Sequence, residues 1–230
     1  QVNFAQDDVV FARYGLVTSA AGAAVGVNLG AVSDLRLGAF IGRTRASIEI
    51  GDPGLPEIRG RESAADLTWR LDTQDSPVVP SRGVNTLVRL SHTIDSPDIS
   101  IDRQTVLRSS SFTQLASSIT SFRAVGPHGR LFLFGALGTT LDGEPAPTSL
   151  YALGSTFRLG AYASNDIVGR HAWNATGGYL HQVGRLPDFL GGPIFVGGWL
   201  ENGDAFAAWK DAGWRTNASV GVMMDTLLGP

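Results

Sequence analysis

Ser63-Ala64-Ala65-Asp66-Leu67-Thr68-Trp69-Arg70-Leu71-Asp72 is the stretch from which the fold is read. Ala65, Leu67, Trp69 and Leu71 occupy every second position, with Ala64, Asp66, Thr68, Arg70 and Asp72 between them. Side chains on a strand point alternately to opposite faces, so a period of two marks a strand with one greasy and one charged face. A dry core seldom accepts Asp and Arg along its wall. The charged face therefore needs water, and the greasy face needs something else to meet.

The same alternation extends in both directions. Over Asp34 to Gly42, Leu35, Leu37, Ala39 and Ile41 oppose Asp34, Arg36, Gly38 and Phe40. Beyond Gly42 the polar set becomes Arg43, Arg45, Ser47 and Glu49, with Ile48 and Ile50 apolar, a slip that predicts a β-bulge beside Gly42. Near the end, Trp214, Thr216, Ala218, Val220, Val222 and Met224 oppose Arg215, Asn217, Ser219, Gly221 and Asp225. The pattern predicts strands near 4–14, 20–30, 34–49, 62–72, 83–93, 110–124, 130–140, 171–183, 193–203 and 213–226. Gly126-Pro127-His128-Gly129 is a tight turn, Asp52 to Pro56 a longer loop, and residues 94–108 and 141–170 are longer still.

Strands of ten residues or more, joined alternately by short and long connections, suit a tilted membrane crossing; soluble strands average about five to six residues. The expected fold class is all-β: an antiparallel transmembrane β-barrel, with residues 1–230 as one domain. A soluble ligand-binding β-sandwich or lipocalin-like barrel would alternate too and is the competing reading. So is a membrane helix over Tyr14 to Ser33, which carries no charge and contains Gly22-x-x-x-Gly26-x-x-x-Gly30. That segment is mostly Ala and Gly, however, and Val25, Val27 and Leu29 alternate with Gly26, Asn28 and Gly30. A strand is expected there.

Composition agrees with a barrel. Hydrophobic residues make up 43% and charged residues only 17%, and mean hydropathy is +0.06, as when alternate residues face lipid. The net charge of −3 gives no electrostatic case for nucleic acid. Cysteine is absent, which excludes disulfides and thiolate sites. Gln1-Val2-Asn3-Phe4 has neither the basic region nor the apolar core of a signal peptide, so an exported protein would carry its signal upstream. The chain reads as a fragment or a processed product.

Several motifs, in order along residues 7 to 230, resemble the C-terminal barrel of the BamA-like outer-membrane assembly superfamily (the bacterial surface antigen family), and most closely the barrel attached to patatin-like phospholipases. Leu71 to Gly83 is similar to the family's Asp-x-x-Asp-x-x-x-x-Pro-x-x-Gly turn on the periplasmic side, with Asp72, Asp75, Pro80 and Gly83 at its positions. Leu153 to Tyr162 resembles the sixth extracellular loop, which in the family folds into the lumen. The superfamily's usual core there is Val-Arg-Gly-Phe or Tyr. Aligned on Tyr162, Gly160 takes the Arg position and Arg158 lies two residues earlier, which favours the patatin-linked branch. Leu190 to Ala205 looks like that branch's Pro-x-Tyr-x-Gly-Gly-x-x-Glu-x-Gly-Asn strand, and Asp225 to Pro230 like the turn before the last hairpin.

The resemblance implies a barrel of about sixteen strands, of which this chain would supply about ten, with strands missing at both ends. It implies a non-enzymatic domain of the bacterial outer membrane that anchors an N-terminal patatin-like phospholipase, export of that passenger being a further expectation. The alternative role within the superfamily is general protein assembly or translocation. The lumen-loop residues are then Arg158, Gly160 and Tyr162, with Glu201 and Arg36 as wall partners. Outer-membrane lipid and a covalently linked patatin-like passenger are the implied partners, with no cofactor.

Catalytic chemistry is not written in the chain. No Ser has Gly two residues before it, so there is no nucleophile elbow. Asp142-Gly143-Glu144 is a partial echo of the patatin Asp context and reads as turn chemistry. His92, His128, His171 and His181 form no H-x-x-x-H or H-E-x-x-H pattern, and Lys210, the only lysine, has no Gly before it.

Overall fold

The computed structural model describes residues 2–6, 9–50, 57–96, 98–101, 104–107, 110–187 and 189–226. The fold is all-β, with fourteen strands among the described residues, in chain order: β1 Val2–Gln6, β2 Val9–Asn28, β3 Ser33–Ile50, β4 Glu57–Asp72, β5 Arg82–Asp95, β6 Asp98–Ile101, β7 Gln104–Leu107, β8 Phe112–Val125, β9 Gly129–Gly143, β10 Tyr151–Leu153, β11 Ile167–Gly169, β12 His171–Arg185, β13 Gly191–Phe206 and β14 Arg215–Thr226. Ten of them form one antiparallel meander in the order β1-β2-β3-β4-β5-β8-β9-β12-β13-β14. This is a single continuous sheet, not the two stacked sheets of a sandwich, and no pairing among the described residues joins β1 to β14. Every meander strand after β1 runs 12 to 20 residues.

Register carries the predicted faces across the sheet. Val25, Leu37, Leu67, Leu90 and Leu115 stand directly beside one another on five adjacent strands. On the other face Gly26, Arg36, Thr68, Arg89 and Ala116 do the same. The first face is bare: Val25, Leu37, Leu67, Leu90, Ile119, Leu133, Leu200 and Val220 are 41 to 87% exposed. Against the second pack the β9–β12 connection and the β4–β5 turn. There Val79, Phe132, Leu180 and Phe195 form a buried cluster, joined by Val78, Phe122, Phe157, Trp199 and Met223.

A competing reading and three expectations give way. The membrane-helix reading fails, because β2 runs as one strand from Val9 to Asn28. For the same reason the strands expected at 4–14 and 20–30 are instead a short β1 and a long β2; Gly15 to Ser19, which offers little polarity contrast, is no break. Residues 98–107 and 151–169, read as loop, each hold a short strand pair, β6–β7 and β10–β11.

The fourth correction concerns Gly42. The β3–β4 register is unbroken from Ser33 to Ala46, and the β2–β3 register slips only near Glu49. Pairing on both sides fixes the pleat, so Arg43 and Arg45 stay on the face of Leu37 and Ile41. Gly42 serves a close approach instead: a Cβ there would meet the Ser19 carbonyl oxygen and the Ala20 Cβ at 2.8 Å.

Candidate functional site

The β9–β12 connection reaches the covered face as a folded unit. Tyr151 and Leu153 of β10 pair with Gly169 and Ile167 of β11, and Leu153, Leu159 and Ile167 bury one another with Tyr162 and Ala205 against them. At its tip the Arg158 amide donates to the Ser155 carbonyl at 2.8 Å, closing a turn. Phe157 and Leu159 have φ of 65° and 62°, a region that large side chains rarely adopt. Burial offsets the strain. The Phe157 ring lies 4.8 Å from Trp199 and 5.5 Å from Phe132, and the Thr176 hydroxyl donates to the Phe157 carbonyl at 2.8 Å. Leu159 has no exposed surface at all.

Glu201, on β13, is the polar centre of this contact. It is completely buried, yet no cation pairs with it among the described residues. Three donors meet it instead. The Gly160 amide reaches Oε2 at 2.6 Å, the Asn217 side-chain amide reaches the same oxygen at 2.5 Å, and the Trp199 indole N–H reaches Oε1 at 2.9 Å. A buried carboxylate is stable only when hydrogen-bonded in this way. With no surface open to a solute, it acts as a latch holding the loop tip to the wall.

Glu201, expected as a wall partner for the loop's charge, thus meets the loop at Gly160, through a backbone amide rather than a guanidinium. Arg158 lies elsewhere: its side chain is exposed, lines cavities on the covered face, and meets no carboxylate among the described residues. Tyr162 packs on the Leu159 cluster, and the Arg215 guanidinium, paired with Asp204 at 3.0 Å, sits 5.8 Å from its ring. Arg36 is on the covered face of β3 but pairs with Asp34 at 2.7 Å and takes no part in the loop contact. Trp199, Asn217, Thr176 and Phe157 were not singled out from sequence. Trp199 shares a face with Glu201 by the two-residue spacing, which was a usable signal; Asn217 is opposite Glu201 only through the β13–β14 register.

The β4–β5 turn closes on the same space from the other end of the strands. The Asp72 carboxylate accepts the Gln74 amide at 3.0 Å, and Asp75 accepts the amides of Ser81 at 2.8 Å and Arg82 at 3.3 Å together with the Ser81 hydroxyl. Pro80 is buried. Gly83 has φ +112°, and a Cβ there would lie 2.4 Å from the Thr73 carbonyl oxygen, so only glycine fits. The turn thereby carries Val78 and Val79 onto Phe132, and a cavity of about 410 Å³ remains between Val78, Pro80, Phe122, Phe134, Phe157 and Arg158.

The Ser81 hydroxyl, followed by the amides of Ser81 and Arg82, holds the Asp75 carboxyl below the usual carboxylate range; slight burial acts the other way. A lowered folded-state pKa means the stabilisation is present above the unfolded value of about 3.9 and is lost as pH falls through the folded value. Asp75→Asn is expected to cost about 1 kcal/mol at neutral pH, the difference between hydrogen bonds to a charged and to a neutral acceptor, and the gap should narrow as pH falls below about 4. Denaturant unfolding from pH 3 to 7 measures it; a gap that ignores pH would show that the charge does not hold the turn.

No protein-family model matches the chain, and no curated protein does. Among the described residues no group of three or more His, Asp or Glu is placed to hold a metal. His171, on β12, meets the Thr139 hydroxyl at 2.7 Å, and Asp142-Gly143-Glu144 ends β9, where Arg170 pairs with Glu144 at 2.9 Å and donates to the Gly143 carbonyl at 2.6 Å. The arrangement positions and locks a loop.

Proposed function

We propose that this chain is a non-enzymatic β-barrel domain of a bacterial outer membrane, whose work is to anchor a larger protein there and to keep its own lumen closed by the latched loop. One observation carries the reading: the bare face is apolar across adjacent strands from β2 to β14, while the opposite face bears Asp34, Arg36, Asp66 and Arg89. Contiguous exposed apolar surface on this scale has no place in water, and lipid is the partner that a flat greasy ribbon fits. Aromatic residues flank the band in support: Trp69 and Tyr179 toward the short turns, and Trp173 and Trp214, 4.8 Å apart, toward the long loops. Barrel closure belongs to this proposal, since lipid tolerates no open sheet edge.

The anchored partner follows from the sequence resemblance alone, and on that basis is a patatin-like phospholipase. Fractionation of cells making the protein tests both parts. The expected result is recovery in the outer membrane, resistant to alkaline extraction, with phospholipase activity on the same polypeptide. Recovery as a monomer without detergent overturns the membrane reading. Membrane recovery with no lipase on the polypeptide, and faster insertion of other barrels, shifts the role to assembly.

A further inference from the structure

Unbroken register through Gly42 leaves an unusual feature on the bare face. Arg43 of β3 stands directly opposite Arg61 of β4, and Arg45 opposite Arg59 one step further out. Like charges placed directly across a ladder destabilise it. Arg43, Arg45 and Arg61 are exposed and have neither an ion pair nor a side-chain hydrogen bond among the described residues. Arg43 and Arg61 line a cleft of about 350 Å³ with Ser19, Ile41 and Gly42.

Depth decides what would fill it. From Leu35 to Arg43 the strand advances ~26 Å at ~3.3 Å per residue. At the tilt of ~40° usual for membrane barrels this is ~20 Å of depth, close to the ~25 Å apolar band. The arginine pair thus sits at the rim of the greasy band, at the end of the long loops, with Ile41, Leu37 and Val25 below it. Guanidinium forks match phosphate oxygens two at a time, better than a lysine would.

We propose that Arg43 and Arg61 bind the phosphate headgroup of a phosphorylated lipid in the outer leaflet, its acyl chains lying along Ile41, Leu37 and Val25. The inference rests on the membrane reading above. An anion between the two guanidinium groups removes their repulsion, and the apolar column beneath accepts the chains that free phosphate lacks.

The test uses the protein with all its barrel strands, folded into phosphatidylcholine vesicles containing bisphosphorylated glucosamine lipid (lipid A) or the same lipid stripped of phosphate. Energy transfer from tryptophan to a labelled acyl chain reports binding, and inorganic phosphate is added as competitor. Phosphorylated lipid should bind about tenfold more tightly than the stripped form, and R43Q/R61Q should lose that preference. R123Q, at the short-turn end, should keep it. Millimolar inorganic phosphate should not displace the lipid. Equal binding of the two lipids, an unaffected double variant, a loss in R123Q, or displacement by phosphate each overturns the site while leaving the membrane reading intact. Failure to insert into vesicles at all sinks the membrane reading, and the site with it.

Discussion

Glu201→Ala is expected to unlatch the loop at a cost of about 3 to 5 kcal/mol, since each buried donor left without its acceptor costs about 1 to 3 kcal/mol. The carboxylate takes three donors, from Gly160, Trp199 and Asn217, and is itself completely buried, so its removal leaves the Gly160 amide and the Trp199 indole without an acceptor, leaves Asn217 only the Ser219 hydroxyl, and opens a void where the side chain stood. Glu201→Gln should be milder. Its best orientation keeps the amide oxygen at the position shared by Gly160 and Asn217 and turns its NH₂ toward the Trp199 indole N–H, one donor facing another. That forfeits one hydrogen bond, about 1.5 to 3 kcal/mol.

Two substitutions at Gly160 separate latch from motif. The nearest atom to an added Cβ is the Glu201 Oε2 at 3.5 Å, so Gly160→Ala should be tolerated, whereas Gly160→Pro removes the donated N–H and should release the loop as Glu201→Ala does. Limited proteolysis within residues 155–165, together with the unfolding midpoint, measures all four variants. A loop that stays protected in Glu201→Ala, or one lost in Gly160→Ala, would refute the latch.

These expectations show where sequence sufficed. The two faces of β3, β4 and β14 were legible because large apolar and charged residues alternate there. Arg36, Thr68 and Arg89 do align across three strands, as Leu37, Leu67 and Leu90 do on the bare side. β2 was misdivided because Ala and Gly give no contrast between faces. The slip at Gly42 was misread because Arg43 and Arg45 look like a return to the wet face. Only pairing with β2 and β4 shows that the pleat continues and that arginines lie on the greasy side.

The loop site was half legible. Motif likeness named Gly160, Tyr162 and Glu201, but the contact between Gly160 and Glu201 depends on left-handed backbone at Phe157 and Leu159, which no residue type there announces. Arg158 was expected to seek a carboxylate. The tip turns its backbone rather than its guanidinium to the wall, because Phe157 takes the room beside Trp199 and Phe132.

Leu133→Arg puts the membrane reading at greatest risk, since the two environments predict different outcomes. Leu133 lies on the bare face of β9, 66% exposed, between Ser121 of β8 and Gly177 of β12, and between the levels of Tyr179, which pairs with Leu131, and Trp173, which pairs with Leu137. Were that face in water, an arginine there would be nearly neutral and would improve solubility. In lipid, the guanidinium at mid-depth should cost about 2 to 4 kcal/mol and lower the yield of folded, inserted protein severalfold. Thr120→Arg, one position from Ser121 on the covered face, supplies the comparison, because that face also holds Arg89 and tolerates charge where water reaches it. Urea titration of vesicle-folded protein gives both numbers. The membrane assignment requires Leu133→Arg to be the more damaging of the two. The opposite order would place the apolar ribbon in water and leave the greasy alternation of β4, from which the fold was read, without a physical reason.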